Sequence, residues 1–551
     1  MIRLAMKTAE RSAIHWQEKY MELEASSARK IAELEASFSS LAKELESRIA
    51  ALEALNKYYE EQFRLAKHRQ YGASSEKTPH TEQLGLFDEV ENTADLKKAE
   101  ELEKVTYNPP KKRNQLKDDL TDAPLETVEH KLPTQEQICP VCGSPLRSMS
   151  QEECCNIEII PARVIMKRHL REVYACRNCE KTKEQATIVR APMPEPVIKG
   201  SLASPSAIAH IATQKYVFAV PLYRQEQEFL RQGLSLSRQT MSNWLIRASQ
   251  DWLEPIYDKM KLQLLKEEIL HADESRLQVL QEPGRKANTE SYMWLYRTGK
   301  DTDTPIALFE YQPTRSSGHP KRFLENYTGY LHTDGYAGYH SLEPKVTVVG
   351  CWAHLRRRFD EALKALPESD RPTAVAQYGF NLCNELFLLE REWADLPAEK
   401  RYEKRLSVAK PKAETLFAWA SSVNALPKSP LGKAVHYALE QRRWLMNVFL
   451  DGRLEISNNR AERSIKPFVI GRKNWLFNNT PKGAKSSSVI YSIIETAKEN
   501  DLKPLEYLDY VLTMLPNETT SAIDRYLPWA DGLPEHLKSK QPKDRDSDDE
   551  C

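Results

Sequence analysis

The sequence carries no net charge at pH 7, because Lys and Arg together number 79 and Asp and Glu together also number 79. This balance argues against a uniformly basic protein that coats nucleic acid, so any attraction to DNA must come from local basic patches. The sequence also lacks an apolar run of about 20 residues that would span a membrane, and its N-terminus has no signal-peptide apolar segment. We therefore expect a cytoplasmic protein.

Cysteine is sparse, with nine residues in 551, which does not suit a disulfide framework. Four of the nine form two C-x-x-C pairs, Cys139 with Cys142 and Cys176 with Cys179. Four thiolates in this arrangement predict a closed tetrahedral zinc site, and the alternative is four buried thiols without a metal. A redox pair is disfavoured because no thioredoxin-like βαβ pattern surrounds either motif.

A chain of 551 residues is too long for one hydrophobic core, so we expect several domains. Near the N-terminus, apolar residues recur three or four positions apart, with an interruption at Arg48. These residues are Ile31, Leu34, Phe38, Leu41, Leu45, Leu52, Leu55 and Tyr59. The spacing is typical of a coiled-coil seam and predicts dimerisation, while the alternative is an amphipathic helix packed on its own domain.

A helical pattern follows at 191–262, with a break at Gly233 and a candidate N-cap at Ser237. Helix, Gly-containing turn and helix form the pattern of a helix-turn-helix, which would present polar groups at the start of its second helix and pack Met241 and Trp244 inward. The candidate DNA-contacting residues are Arg238, Gln239, Ser242 and Asn243. The alternative is an ordinary helical hairpin that bridges two domains.

Strand patterns dominate 266–355, where three strands, a helix and two further strands predict a mixed sheet with helices against it. Asp273 lies within "HADESRLQVL" and Asp334 within "LHTDGYAGY", each in or after a candidate strand. Adjacent strands would bring the two carboxylates together, where they repel unless a cation bridges them. Oxygen ligands favour Mg²⁺ or Mn²⁺, and a pair of such ions serves phosphodiester chemistry. Taken singly, an Asp at a strand end is more often a turn or capping residue, so the pair is suggestive only.

A third carboxylate is expected from a helix, and Glu455, Glu462 and Glu495 are the candidates. Ser457 and Asn458 predict a helix start that places Glu462 in the first or second turn, although Pro467 is expected to kink or end that helix. Basic residues cluster around this position and predict a DNA-phosphate patch, with a solvated charged face as the alternative. They are Arg460, Arg463, Lys466, Arg472, Lys473, Lys482 and Lys485.

Four stretches, "LHADES", "LHTDGYAGY", "GCWAHLRRRFDEAL" and "ISNNRAERSIKPFVIGRKNWLF", together resemble the insertion-sequence sixty-six family of bacterial transposases. The resemblance covers roughly 70 to 535 and includes "YGASSEK", "CPVCG" and "YACRNC". It implies a ribonuclease-H-like fold with a D,D,E triad at Asp273, Asp334 and Glu462, and zinc held by Cys139, Cys142, Cys176 and Cys179. The resemblance also makes His354 a candidate for contact with DNA or the scissile phosphate, and the alternative is a structural histidine.

The resemblance turns the expected fold class into a multidomain α+β protein. In chain order we expect a coiled-coil oligomerisation region at 1–70, a signature segment and charged linker at 71–127, a zinc-binding module at 128–190, a helix-turn-helix-like DNA-contact region at 191–262, the first part of a ribonuclease-H-like catalytic core at 263–355, an all-helical insertion at 356–450, the second part of the core at 451–500, and a C-terminal helical piece with a disordered tail at 501–551.

The function implied is that of a DNA transposase, which cuts element ends and joins the 3′-hydroxyls to target DNA with catalytic Mg²⁺ or Mn²⁺ and structural Zn²⁺. Its partners would be terminal inverted repeats, target DNA, at least one further copy of itself, and accessory proteins of the element. The alternatives are a catalytically inactive DNA-binding protein derived from such an element and a ribonuclease-H-like nuclease. An intact set of three acidic residues favours the enzyme.

Overall fold

The computed structural model describes residues 2–71, 163–175, 188–518 and 520–539. One compact unit comprises 1–94, 194–225 and 238–551, and a second comprises 95–193 and 226–237. The four Cys residues expected to bind zinc, the C-terminal tail and all of the expected linker except Tyr71 lie outside the described residues. No helix in the described part of the chain is both long and apolar enough to cross a membrane.

The first helix, α1 (Ile2–Tyr71), runs without a break through the predicted coiled-coil seam. Every seam residue from Ile31 to Tyr59 is exposed in this single chain, with Leu41 at 52% and Leu45 at 48%. An isolated helix is marginally stable in water unless its apolar face is covered. The helical part of the prediction is confirmed, and its role in self-association stays a prediction.

In the second unit, strands β1 (Val173–Ala175) and β2 (Ile188–Arg190) pair antiparallel. Arg171 Nε donates to the main-chain oxygen of Ala191 at 2.6 Å and continues the pairing past the strand ends. β1 directly precedes Cys176, so a two-stranded ribbon leads into the second C-x-x-C pair.

The predicted helical segment contains four helices, with a π-helical turn at Ser249–Leu253 between the last two. They are α2 (Pro205–Tyr216), α3 (Leu222–Arg231), α4 (Arg238–Ala248) and α5 (Glu254–Leu264). α4 begins directly after Ser237, the residue that was predicted to cap it. Its buried stripe is Met241, Leu245 and Ala248, which are spaced by one helical turn. Trp244 is only half-buried, so the prediction that it packs inward was wrong by one position.

A five-stranded mixed sheet forms the centre of the first unit, in the order β5-β4-β3-β6-β7. Its strands are β3 (Ile269–Gln278), β4 (Glu290–Thr298), β5 (Ala307–Gln312), β6 (Gly329–Thr333) and β7 (Val346–Gly350). β3, β4 and β5 pair antiparallel, whereas β6 and β7 run parallel to β3. Two short helices, α6 (Gly318–Phe323) and α7 (Ala337–His340), lie in the connections. The predicted mixed sheet is confirmed.

Five helices follow the sheet where an all-helical insertion was expected. They are α8 (Trp352–Lys364), α9 (Val375–Glu392), α10 (Ala398–Lys404), α11 (Lys410–Ser422) and α12 (Pro430–Met446). Trp352 and Trp393 are buried in their shared core. Trp419 and Trp444 are half-buried, and Trp444 stacks on His340 of α7 with ring centroids 3.4 Å apart.

The chain then returns to the sheet through three helices, α13 (Asn459–Trp475), α14 (Pro481–Glu499) and α15 (Pro504–Met514). α14 covers the edge strand β5, where Ser492 Oγ accepts from Phe309 N at 2.7 Å and Thr496 Oγ1 accepts from Ala307 N at 3.1 Å. These hydroxyl groups satisfy edge amides that would otherwise be open to another chain. α13 continues through Pro467 for two more turns, so Pro467 does not end this helix, and a kink there stays a prediction.

Candidate active site

The parallel pairing of β3 and β6 determines where the two Asp residues lie. Ile269 pairs with Tyr330 and His271 with His332. The pairing ends there, two residues before Asp273, which lies within β3, and before Asp334, which directly follows β6. Adjacent parallel strands are about 4.8 Å apart, so the two carboxylates lie close together at the end of the sheet where β6 stops, hereafter the acidic edge.

Local hydrogen bonds fix both carboxylates. Asp273 Oδ1 accepts from Glu274 N at 2.8 Å, and Asp334 Oδ1 accepts from Tyr336 N at 2.9 Å. The second bond closes a tight turn through Gly335, whose φ of +91° favours glycine, and a Cβ there would lie 2.8 Å from Tyr437 Oη. Tyr437 Oη in turn donates to the main-chain oxygen of Asp334 at 3.0 Å, so the helical insertion supports this loop.

The electrostatics at this edge favour a cation. Burial, together with the negative charges of Glu274, Asp334 and Glu462, raises the pKa of Asp273 well above its ordinary value. Burial and the charge of Asp334 likewise raise the pKa of Glu274. A divalent cation among these oxygens would stabilise their ionised forms, and carboxylate oxygens are the ligands that Mg²⁺ and Mn²⁺ prefer. The oxygen donors present therefore fit such an ion.

Glu462 lies in the first turn of α13 and is 5% exposed. His354 Nε2 is 3.7 Å from Glu462 Oε1, and the Arg357 guanidinium is 3.6 Å from Glu462 Oε2. Both partners come from α8, directly after β7. The Glu462 charge also acts on Asp273, so the structure brings α13 to the same edge of the sheet as the two Asp residues.

A second set of possible ligands shares Glu462. The ligand atoms of Cys351, His354 and Glu462 lie within 4.8 Å of one another, and the two Asp carboxylates are not part of that group. Burial raises the pKa of the Cys351 thiol, and burial with the Arg357 charge lowers the pKa of His354 to about 4. A protonated thiol is a poor metal ligand, so this trio fits a hard divalent ion less well than the carboxylates.

A layer of histidines lies beneath the two Asp residues, and the sequence patterns did not single it out. His271 and His332 precede Asp273 and Asp334 by two positions, so strand alternation sets them on the same face. Their rings stack with centroids 4.3 Å apart, and both are fully buried. Burial and the neighbouring His271 lower the pKa of His332 well below its ordinary value, so its ring is neutral. The sequence signal that could have identified this layer is the position of each His two residues before an Asp.

Asn458 connects this layer to the helix that carries Glu462. Its Oδ1 lies 3.0 Å from His271 Nδ1, and its Nδ2 donates to the main-chain oxygen of Ala272 at 2.9 Å. Glu455 occupies the same network, 2.8 Å from His271 Nε2 and 2.8 Å from Arg460 Nε. Burial raises the pKa of Glu455, but the charges of Arg460 and His271 outweigh burial and lower it well below its ordinary value.

The predicted DNA-contacting residues of α4 lie on its first two turns. Arg238, Gln239 and Asn243 are exposed and Ser242 is half-buried. Gln239 Nε2 donates to Asn243 Oδ1 at 3.1 Å, which sets the two side chains on one face.

The predicted basic cluster is spread along α13 and α14. Arg460 pairs with Glu455, and Lys485 pairs with Glu254 at 2.8 Å. Arg472 donates to the main-chain oxygen of Arg276 and to Ser275 Oγ, whereas Lys473 is exposed. A cleft of about 500 Å³ between β3 and the end of α13 includes Arg276, Arg472 and Lys473 in its lining. Arg463 is also exposed, and Lys466 is half-buried on the Glu462 helix.

Comparison with known families accounts for most of the chain. The model described as Transposase IS66 family matches residues 200–486, and the IS66 C-terminal element matches 492–529. The zinc-finger binding domain of transposase IS66 matches 136–180, and the model described as Transposase C of IS166 homeodomain matches 58–123.

Three relatives come from Sinorhizobium fredii (strain NBRC 101917 / NGR234). Uncharacterized protein y4jD is 30% identical over 72% of this chain and 78% of its own length. Uncharacterized protein y4qI is 28% identical over 88% of this chain and 92% of its own length. Uncharacterized protein y4hP is 27% identical over 71% of this chain and 73% of its own length.

Proposed function

Because the chain belongs to the transposase IS66 family, we propose that it is a DNA transposase with a D,D,E site formed by Asp273, Asp334 and Glu462. In this proposal it cuts the ends of its insertion sequence and joins the 3′-hydroxyls to target DNA. The observations that carry the proposal are the β3–β6 pairing, which ends two residues before Asp273 and Asp334, and the charges of Asp334 and Glu462, which both act on Asp273.

The chemistry assigned to this site is metal-dependent phosphodiester hydrolysis followed by transesterification. Two divalent ions would supply an activated attacking oxygen and would stabilise the leaving oxygen. Asp273 and Asp334 would hold them at the sheet edge, and Glu462 would contribute from α13. Mg²⁺ or Mn²⁺ is the assigned ion because all three side chains offer hard oxygen ligands.

We assign the five-stranded sheet and α13 to a ribonuclease-H-like core. Its support is a mixed sheet in which Asp273 lies within β3 and Asp334 directly follows the neighbouring strand β6. Glu462, the third acidic residue, follows the five helices α8 to α12 in sequence.

His354 and Arg357 are well placed to meet the phosphate that reacts. With a pKa of about 4, His354 is neutral near pH 7 and can donate one hydrogen bond without adding charge. Arg357 is 37% exposed at its side chain and can approach a phosphate oxygen while it remains beside Glu462. The alternative for His354 is a structural role, because it is 22% exposed and lies against Glu462.

DNA binding away from the reacting phosphate is assigned to two surfaces. The α4 surface comprises Arg238, Gln239, Ser242 and Asn243, which resemble the polar start of a recognition helix. The α13 surface comprises Arg460, Arg463, Lys466, Arg472 and Lys473. Arg460 is the weakest member, because its Nε is held by Glu455.

The remaining parts complete a subunit that works on DNA with other copies of itself. The zinc-finger module is assigned one structural Zn²⁺ on Cys139, Cys142, Cys176 and Cys179, since four thiolates leave no open position for substrate. The exposed seam of α1 is assigned to homo-oligomerisation. Terminal inverted repeats, target DNA and accessory proteins of the element are the other partners, in a bacterial cytoplasm at the nucleoid.

The test uses end duplexes, which are DNA fragments that flank the gene and contain its terminal inverted repeat. Purified protein is incubated with an end duplex and a target plasmid, with Mg²⁺ or with EDTA. The proposal expects cleavage at the element end and joined products only with Mg²⁺. Cleavage without joining would favour a nuclease. Binding with no cleavage at any Mg²⁺ or Mn²⁺ concentration would favour an inactive derivative.

A further inference from the structure

Arg315 lies at the acidic edge of the sheet, although neither the sequence patterns nor the proposed site includes it. Its Nε donates to Glu274 Oε1 at 2.7 Å, and its Nη2 also contacts that oxygen. The same Nη2 is 3.9 Å from Asp334 Oδ2. One guanidinium therefore contacts Glu274, which is next to Asp273 in sequence, and also lies near Asp334.

The surroundings hold this guanidinium in place. The side chain of Glu274 is only 1% exposed, and its other oxygen accepts from Tyr339 Oη at 2.7 Å. The Arg315 guanidinium carbon lies 3.9 Å from the centre of the Tyr336 ring, and Tyr336 Oη donates to the main-chain oxygen of Arg315. A cation fixed by a buried carboxylate and an aromatic face has lost most of its rotamer freedom before any ligand arrives.

This arrangement leaves part of the guanidinium available. The side chain of Arg315 is 40% exposed, and its Nη1 makes no hydrogen bond with the described residues. A guanidinium presents its donors in a planar fork that matches two oxygens of a phosphate. Nε and Nη2 contact Glu274, and Nη2 is also 3.9 Å from Asp334 Oδ2, so the guanidinium lies beside the residue where the reacting DNA would lie.

We propose that Arg315 is a catalytic residue that binds a non-bridging oxygen of the DNA phosphate at the cleavage point, with Glu274 and Tyr336 as its positioning residues. The inference rests on the proposed function, because it needs DNA at the Asp273–Asp334 edge. A lysine at this position would keep the charge but lose the planar fork.

The experiment compares wild type with Arg315→Gln and Arg315→Lys. Binding to end duplexes is measured with Ca²⁺ in place of Mg²⁺, using one duplex with a normal scissile phosphate and one with an uncharged methylphosphonate at that position. The matched control is Arg443→Gln, because Arg443 also pairs with a largely buried carboxylate, Glu343, at 3.2 Å.

The proposal expects Arg315→Gln to weaken binding of the normal duplex by about ten- to one-hundred-fold, as for a hydrogen bond to a charged group. Affinity for the methylphosphonate duplex should stay within about twofold of wild type, because the partner of Arg315 has already been neutralised. Arg315→Lys should recover part of the loss, and Arg443→Gln should change neither duplex. Equal weakening of both duplexes by Arg315→Gln, or of neither, would overturn the proposal.

Arg315→Gln leaves the buried Glu274 without its cation, which threatens folding. The double variant Glu274→Gln, Arg315→Gln removes both charges and must show the same selective loss on the normal duplex. Cleavage by wild type distinguishes failure of the Arg315 role from failure of the proposed transposase function. If wild type cuts end duplexes with Mg²⁺ and the variants bind both duplexes as wild type does, only the role of Arg315 fails. If wild type never cuts, the proposed function fails, and the role of Arg315 fails with it.

Discussion

Asn458 Nδ2 donates a hydrogen bond of 2.9 Å to the main-chain oxygen of Ala272. This contact joins the residue before α13 to the residue before Asp273, although the two are 186 positions apart in sequence. Because Glu462 is one turn into the same helix, the bond fixes the distance between the third acid and the first. The position of Glu462 thus depends on an amide that takes no part in the proposed chemistry.

We predict that Asn458→Ala reduces Mg²⁺-dependent end cleavage at least tenfold and lowers the free energy of unfolding by about 1 to 3 kcal/mol, because it leaves buried polar groups of Ala272 and His271 without partners. The control is Asn447→Ala, since Asn447 Nδ2 donates to the main-chain oxygen of Val348 at 2.7 Å in the same sheet. Denaturant unfolding should show similar losses for both variants. Equal cleavage by the two variants would contradict a positioning role for Asn458.

The exposed seam of α1 predicts self-association. Leu41→Asp places a charge in the seam and should lower the oligomeric mass measured by light scattering, because a coiled-coil interface does not accept an unpaired carboxylate. Ser40→Asp adds the same charge one position away from the seam and should leave the mass unchanged. Deletion of residues 1–65 should likewise reduce the number of chains per particle. An unchanged number of chains after that deletion would remove α1 from the interface.

Lys473 is exposed beside the cleft at the end of α13, and we predict that it contacts DNA backbone. Lys473→Gln should weaken binding to all duplex sequences alike and reduce the slope of log affinity against log salt by about one, because one phosphate contact is lost. Lys485→Gln is the control, because Lys485 is already paired with Glu254. A salt slope for Lys473→Gln equal to that of wild type would exclude the contact.

An ion pair between β4 and α14 predicts part of the acid sensitivity. Arg297 holds both oxygens of Glu499 at 3.0 Å, and Arg297 is buried while Glu499 is 33% exposed. Burial raises the pKa of Glu499, but the charge and hydrogen bonds of Arg297 outweigh burial and bring the pKa below its ordinary value. The pair therefore stabilises the fold fully above the unfolded-state pKa of about 4.3, and this contribution is lost as pH falls through the folded pKa.

Glu499→Gln should lower stability at pH 7 by about 2 to 3 kcal/mol, somewhat less than a fully buried pair because Glu499 is partly exposed. The variant should also lose less stability than wild type between pH 5 and pH 3, a window set by that unfolded-state pKa. Glu385→Gln, which removes an exposed pair with Lys412, is the control. Denaturant midpoints at each pH provide the measurement, and parallel pH curves for wild type and Glu499→Gln would refute the assignment.

The sequence was sufficient for the sheet and for the helix of Glu462. Alternating apolar residues marked the strands around Asp273 and Asp334, and Ser457 with Asn458 marked the start of α13. The cap was identified for the wrong reason, however, because the Asn458 side chain bonds to Ala272 and not to its own helix. Local capping rules describe preferences within one segment and carry no information on contacts across the fold.

The contacts of Arg315 could not be predicted in the same way. Arg315 lies in the connection after β5, and its pairing with Glu274 depends on how that connection folds over the sheet. Glu274 follows Asp273 directly, and strand alternation alone would direct it to the opposite face. The charge of Asp334 nevertheless acts on Glu274, at a point where β3 and β6 are no longer paired.

We propose that Glu462 completes a metal-binding triad with Asp273 and Asp334. The most direct test replaces Glu455, Glu462 and Glu495 singly by Gln and measures Mg²⁺-dependent end cleavage beside DNA binding. Glu455 pairs with His271 and Arg460, and Glu495 pairs with Lys498 at 2.7 Å, so both variants should still cut DNA in the fraction that remains folded. We predict that Glu462→Gln binds end duplexes as wild type does and cuts none of them. Cleavage by Glu462→Gln near the wild-type rate would contradict it.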